Sequence, residues 1–328
     1  MILSKTPLRM SFVGGGSDMP AYYQKNDGAV VSTTIDKYMY ITIGQRFSGD
    51  IRINYSKTEQ VNHVKDIIHP LVRESLSLLE IKGKIEITST ADIPSQGSGL
   101  GSSSSYTVGL INALHAFKKE SISKENLAQI ACQIELEKCN EPIGKQDQYA
   151  AAYGGLNLIR FLGDGSVVVE PINCKEKTKL ALEKSLLVFY TGRTRKASDL
   201  LKQQSKNLEN NNKRSMMTKM VEMAYEMKNS LEAGKVNHIG YLLNENWILK
   251  KQITKGVSDQ EIDSWYQKAL DAGALGGKLL GAGHGGFLMF LAEPGKHGNI
   301  ISALNDLKHI NMSFDQNGSQ IVYNDEKK

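Results

Sequence analysis

Pro94-Ser95-Gln96-Gly97-Ser98-Gly99-Leu100-Gly101-Ser102-Ser103-Ser104-Ser105 decides how the rest of this 328-residue chain is read. Ahead of it, residues 84–90 alternate apolar and polar and predict a strand. Behind it, residues 106–117 form an apolar stretch of helical character. Glycines at such a junction let the backbone approach a ligand closely, and the N–H groups at a helix start favour an anion. The serines add hydroxyl donors and a candidate metal ligand. A flexible Gly/Ser linker is the bland alternative, but compact domains rarely place one between a strand and a helix. No G-x-x-x-x-G-K-[ST] occurs, which excludes a Walker P-loop.

Outward from this junction the chain reads as α+β. Residues 8–13, 29–35, 38–43 and 50–55 are alternating or β-branched and are broken by Gly and Asp turns. Helices are predicted over 63–79, 124–139 and 147–153, and a hairpin over 156–161 and 167–172. Residues 186–190 read as a strand. The polar, glycine-poor run 196–228 and the stretches 235–253 and 258–271 read as helices, and a glycine-rich stretch, 273–286, leads into a strand at 287–291. A β-rich half followed by a helix-rich half with a late strand predicts two domains, and the length agrees. The boundary is predicted inside the Lys/Glu-rich stretch 172–185, giving domains 1–178 and 179–328.

Forty Lys/Arg stand against 35 Asp/Glu, a formal charge of +5. The excess is local. Residues 193–219 hold eight basic residues against Asp199 and Glu209, which leaves the remainder close to neutral. A solvated basic helix explains most of 202–219. This is not the spread basic face of a nucleic-acid binder. No apolar run reaches the ~18 residues of a membrane span, and the first ten residues lack a signal core. Three cysteines, Cys132, Cys139 and Cys174, fit neither a disulfide framework nor a zinc spacing. The expectation is a cytoplasmic protein that binds neither membrane nor nucleic acid.

Two further glycine segments matter. Gly281-Ala282-Gly283-His284-Gly285-Gly286 matches G-x-G-x-x-G, but an apolar strand-like run follows it and no strong strand precedes it. Dinucleotide binding, and with it a dehydrogenase, is rejected on that context. His284 is read as a positioning residue rather than a catalytic one. Gly14-Gly15-Gly16-Ser17-Asp18 ends the first strand. It is either a tight turn or a loop that places Ser17 and Asp18 at a sugar or alcohol.

Together the three segments resemble the motifs of the GHMP kinase superfamily. The first is Thr6-Pro7-Leu8-Arg9-Met10-Ser11-Phe12-Val13-Gly14-Gly15-Gly16-Ser17-Asp18, the second Pro94-x-x-Gly97-x-Gly99-Leu100-Gly101-Ser102-Ser103, the third Lys278-Leu279-Leu280-Gly281-Ala282-Gly283-His284-Gly285-Gly286. The runs Gly14–Pro20, Gly28–Tyr38 and Gly144–Ala151 are similar to a sugar 1-kinase subgroup that includes heptose 7-phosphate kinases. The resemblance implies a two-domain GHMP architecture. Its N-terminal domain would be like ribosomal protein S5 domain 2, its C-terminal domain ferredoxin-like, with ATP and substrate meeting in the cleft. It implies an ATP- and Mg²⁺-dependent phosphotransferase acting on the anomeric hydroxyl of D-glycero-D-manno-heptose 7-phosphate during GDP-heptose assembly for surface polysaccharide. A free-sugar 1-kinase, for fucose or a relative, and a non-catalytic sugar and ATP sensor are the competing readings. Partners are then ATP and a small sugar phosphate. A homodimer is compatible with this.

The same resemblance implies roles. Pro94, Gly97, Ser98, Gly99, Leu100, Gly101, Ser102, Ser103 and Ser104 would hold the nucleotide, and Ser103 and Glu135 the metal. Helical spacing separates the two candidate glutamates: Leu127, Ala131 and Glu135 share the apolar side, whereas Glu137 faces solvent. Asp147 is either an N-cap or the catalytic base, and the base is favoured. Arg9 would hold Asp147 and contact developing phosphoryl charge, with Lys5 as the alternative cation. Gly15, Gly16, Ser17, Asp18 and Gly283 would line the acceptor. Arg193, Arg195 and Lys196 would bind a remote phosphate on it, because nearby acids are too few to neutralise the basic run.

Overall fold

The computed structural model describes residues 1–94, 97–193 and 198–325. The strands are β1 (Ile2–Val13), β2 (Gly28–Gln45), β3 (Ile51–Asn54), β4 (Thr58–Val61), β5 (Ile85–Ala91), β6 (Leu156–Phe161), β7 (Val167–Pro171), β8 (Leu186–Tyr190), β9 (Gly276–Leu279), β10 (Phe287–Leu291), β11 (Lys308–His309), β12 (Phe314–Asp315) and β13 (Gln320–Asn324). The α-helices are α1 (Pro20–Tyr23), α2 (Pro70–Leu78), α3 (Ser102–Phe117), α4 (Lys124–Cys132), α5 (Gln146–Tyr153), α6 (Glu176–Ser185), α7 (Ser198–Asn207), α8 (Asn211–Glu232), α9 (Val236–Ile253), α10 (Gln260–Asp271) and α11 (His297–Ala303).

The N-terminal sheet runs β13-β1-β2-β5-β3-β4, with β6 and β12 also paired to β2 and β7 to β6. The long β1 and β2 pair antiparallel from Ile2↔Ile43 to Val13↔Val31. From Leu8 onward every residue of β1 is buried. One core joins this sheet to α2, α3, α4 and α5. A second core joins Leu8, Met10 and Phe12 of β1 to Met217 and Met220 of α8 and to Phe287 and Met289 of β10. The strand that carries Arg9 and the glycine turn is therefore held on both faces.

The second half is a four-stranded antiparallel sheet, β11-β8-β10-β9. In chain order it is β8, helices, β9, β10, α11, β11: the β-α-β-β-α-β pattern of a ferredoxin-like unit. A third core, around Trp247 and Trp265, backs this sheet with α9 and α10.

Several expectations shift. Residues 29–35 and 38–43 are one strand, because Asp36 and Lys37 form a bulge, skipped between the Leu8↔Ile35 and Pro7↔Tyr38 pairs, and not a turn. Helix α2 starts at Pro70, behind a 3₁₀ turn, since proline is favoured at a helix's first position. The run 196–228 is two helices, parted at Asn210, which caps α8 by accepting from the N–H groups of Asn212 and Lys213. The predicted boundary is occupied by α6. The tail also leaves its half: β12 and β13 pair with β2 and β1 of the N-terminal sheet.

Candidate active site

The second and third glycine segments meet backbone to backbone. A Cβ on Gly99 would lie 2.4 Å from the Leu280 carbonyl oxygen, one on Gly281 2.4 Å from the Gly99 Cα, and one on Gly286 2.3 Å from the Ser98 carbonyl oxygen. Gly97, Gly99 and Gly101 have φ of 65°, 77° and 74°, the left-handed region that glycine occupies without strain. Gly101 precedes α3 and no side chain caps the helix, so the N–H groups of its first turn remain available to an anion. A strand, β9, does precede the third segment, contrary to expectation. A strand also follows it, so the dinucleotide reading still fails.

Arg9 organises the centre. Its N–H donates to the Leu100 carbonyl at 3.0 Å. Its Nε and Nη2 donate to the two carboxylate oxygens of Asp147, 2.7 Å each, and Nη1 donates to the Gly99 carbonyl at 2.8 Å. Arg9 is 4% exposed and Asp147 23%. Asp147 is the second residue of α5, where Lys145 holds the cap position without a side-chain cap bond. The N-cap reading of Asp147 is therefore dropped. Lys5 lies instead with its ammonium 3.7 Å over the Tyr38 ring.

Glu135 lies on a π-helical turn, Gln133–Lys138, that continues α4. Its carboxylate is buried and accepts from Ser103 Oγ at 3.2 Å, Ser104 Oγ at 2.8 Å, Thr107 Oγ1 at 3.1 Å and Gln148 Nε2. Burial pushes its pKa up to about 7, with the Ser104, Gln148 and Thr107 hydrogen bonds opposing the rise and Asp147 adding to it. Glu137 is exposed. Ser103 is the exposed serine of the run, whereas Ser102 is buried against Ser98, Oγ to Oγ 2.8 Å. Leu100 is a core residue that contributes its backbone, and Pro94 is exposed. The exposed Ser103 hydroxyl beside a buried carboxylate, which pairs with no cation among the described residues, suits a hard oxygen-seeking cation such as Mg²⁺. Among the described residues no group of three His, Cys, Asp or Glu could hold a metal, so most ligands would come from phosphate and water.

The first glycine turn is braced from below. Asp18 is buried and accepts from the N–H groups of Gly16 at 2.9 Å and Gln146 at 3.2 Å. Burial raises its pKa and the nearby Asp147 raises it further. The Ser17 hydroxyl exchanges two 3.1 Å bonds with the Ala29 backbone, a turn-forming role. Gly16 lies under Gln204 and Met217, and Gly15 faces Ser11 and Gln146. Gly283 packs on Val257, whose carbonyl also accepts from the His284 N–H at 2.9 Å, so His284 is fixed through its backbone.

One expectation is corrected. Arg193 does not wait for a ligand anion: its guanidinium pairs with Asp259 at 2.8 Å and with Glu261, and it stands 5.2 Å from the Trp265 ring centre. These acids lie far along the chain, which is why counting acids near residue 193 missed them. Arg195 and Lys196 lie outside the described residues.

Two buried lysines were assigned no role from the sequence, although Lys278 opens the third motif. Lys278 donates to the Ser11 and Phe12 carbonyls, 2.9 Å each. Lys250 donates to the Gly281 carbonyl, and one turn before it Asn246 accepts from the Gly14 N–H at 3.1 Å. A signal existed: Asn246 and Lys250 are four apart on the buried side of α9.

The family model for the GHMP kinases N terminal domain matches residues 62–155, and that for GHMP kinases C terminal matches residues 227–309. The chain is 31% identical over 318 residues to D-glycero-alpha-D-manno-heptose 7-phosphate kinase of Campylobacter jejuni, covering 92% of this chain and 93% of that one. It is 26% identical to the galactokinase of Pyrococcus furiosus, with 92% of each chain covered. A solved D-glycero-D-manno-heptose 1-phosphate kinase from Bacteroides thetaiotaomicron superposes with a TM-score of 0.81 at 28% identity, over 99% of this chain and 100% of that one. A glycine loop at the start of α3, an Arg–Asp pair beside it and these likenesses agree: the chain belongs to the GHMP kinases, phosphotransferases with an alcohol group as acceptor.

Proposed function

We propose that this protein transfers the terminal phosphoryl group of ATP to the anomeric hydroxyl of D-glycero-D-manno-heptose 7-phosphate, giving the 1,7-bisphosphate for nucleotide-activated heptose synthesis. The observation that carries the chemistry is the fork of Arg9 on Asp147 beside the Gly97–Gly101 loop. The heptose rests on the 31% identity to the Campylobacter enzyme.

In this reading the loop N–H groups and the start of α3 bind the phosphates. Ser103 and Glu135 hold Mg²⁺, which when bound neutralises phosphate charge. Asp147 accepts the C1 hydroxyl proton on a lone pair that Arg9 leaves free. The C1 oxygen then bonds to phosphorus while the bond to the departing ADP oxygen breaks. Arg9 keeps Asp147 in place and offsets charge developing on the transferred group. Asp18 holds the glycine turn against α5, which keeps the acceptor side aligned with Asp147.

The internal pairing of Arg193 favours a second reading, a free sugar as acceptor. A coupled ADP-release assay on the same heptose with and without its 7-phosphate separates the two. Strong preference for the phosphorylated sugar supports the proposal. Equal use of both sugars transfers the case to a free-sugar kinase.

A further inference from the structure

Lys250 is a buried cation that the chemistry above leaves without a task. It comes from α9, in the C-terminal half, and is 6% exposed. Its ammonium has three donors, and among the described residues its one bond is to the Gly281 carbonyl. No carboxylate among the described residues pairs with it. The charged groups acting on it are Arg9 on β1 and Asp18 in the glycine turn, and it in turn acts on Lys278 of β9. Arg9 already carries Asp147 on two bonds, Asp18 is engaged by two backbone N–H groups, and Lys278 by two carbonyls.

The place matters as much as the charge. Gly281, which Lys250 grips, backs directly onto Gly99 of the cradle, and Arg9 grips the Gly99 carbonyl. Two cations thus hold the adjoining carbonyls of two touching loops. A buried ammonium without a counter-ion is unfavourable unless an anion arrives to share its site.

We infer that Lys250 is a reserve cation for the nucleotide's phosphate chain, reaching the cradle from the C-terminal half and clasping it when ATP binds. This rests on the kinase reading. Burial, with Arg9 adding, lowers the free lysine's pKa to about 8 while Asp18 opposes the shift. A bound polyphosphate would reverse the shift, so binding near that pH must draw a proton from solution.

The test is titration calorimetry of MgATP at pH 8, in buffers of differing ionisation enthalpy, with no acceptor present. The wild type should take up about half a proton per nucleotide. Lys250→Met should abolish that uptake and weaken ATP binding about ten- to a hundredfold, as loss of a charged hydrogen bond does. Its melting temperature without ATP should stay level or rise, because an uncompensated buried charge has been removed. An unchanged proton uptake and affinity overturns the inference. So does a fall in melting temperature with ATP affinity intact, which makes Lys250 a brace for Gly281. A wild type that binds no ATP at all would instead count against the kinase reading itself.

Discussion

Asp147 and Arg193 show how far a single residue can be read from sequence. Both are charged residues, and each had a bland and a functional reading. The fold gives each of them partners far along the chain. Asp147 is drawn to an arginine 138 residues away and caps nothing. Arg193 is neutralised by acids 66 and 68 residues away. Long-range partners of this kind leave no local trace, so the acid count around residue 193 could not find them. Asp147→Asn should lower kcat by about a hundred- to ten-thousandfold, the range of a lost general base. Binding of ATP, measured separately, should change little. Turnover at the wild-type level in a folded variant would remove Asp147 as the base. Arg193→Ala should leave KM for the sugar within about threefold and reduce stability by no more than about 1 kcal/mol, as for a half-exposed ion pair. A tenfold rise in that KM, with KM for ATP unchanged, would restore the phosphate-reading role.

At the scale of the element, helical phase did useful work where the helix was regular. Leu127, Ala131 and Glu135 do lie buried, and Glu137 is exposed. What phase did not reveal is that Glu135 sits on a π turn, with its carboxylate among three hydroxyls and an amide. An inserted residue of this kind often marks a functional site, yet periodicity over a few residues cannot register it. Glu135→Gln should raise the Mg²⁺ concentration needed for half-maximal rate at least tenfold, whereas Glu137→Gln should leave it unchanged. Equal responses in a metal titration of the two variants would place the metal elsewhere. The glycine segments were legible because their chemistry is local: left-handed backbone and close approach demand glycine whatever surrounds them. Lys278 was not, because a buried lysine looks in sequence like any solvated one, and Lys250 left as its trace the four-residue spacing from Asn246 on the buried side of α9.

At the scale of the whole molecule, α+β in two halves was legible, and the order of the strands was not. The second core takes residues from β1, β2, α8, α9 and β10 alike, so the two halves share a core in addition to the one that each has of its own. We therefore expect one cooperative transition. Both tryptophans, Trp247 and Trp265, lie in the third core of the C-terminal half, whereas far-ultraviolet circular dichroism reports on all of the chain. Urea melts followed by the two signals should coincide. Midpoints that separate would mean that residues 1–178 and 179–328 behave as independent units.

The tail sets a condition on synthesis. Ile2 pairs with Asn324, and without β13 the first strand is an open sheet edge. At roughly 5–20 residues per second, a ribosome needs about 15–60 s to make the chain between them. For that time the nascent N-terminal half offers an unpaired strand to any neighbour, the arrangement most prone to edge-to-edge association. The half that carries Arg9 and the Gly97–Gly101 loop is therefore the part of the chain with most to gain from a chaperone until the last strand emerges.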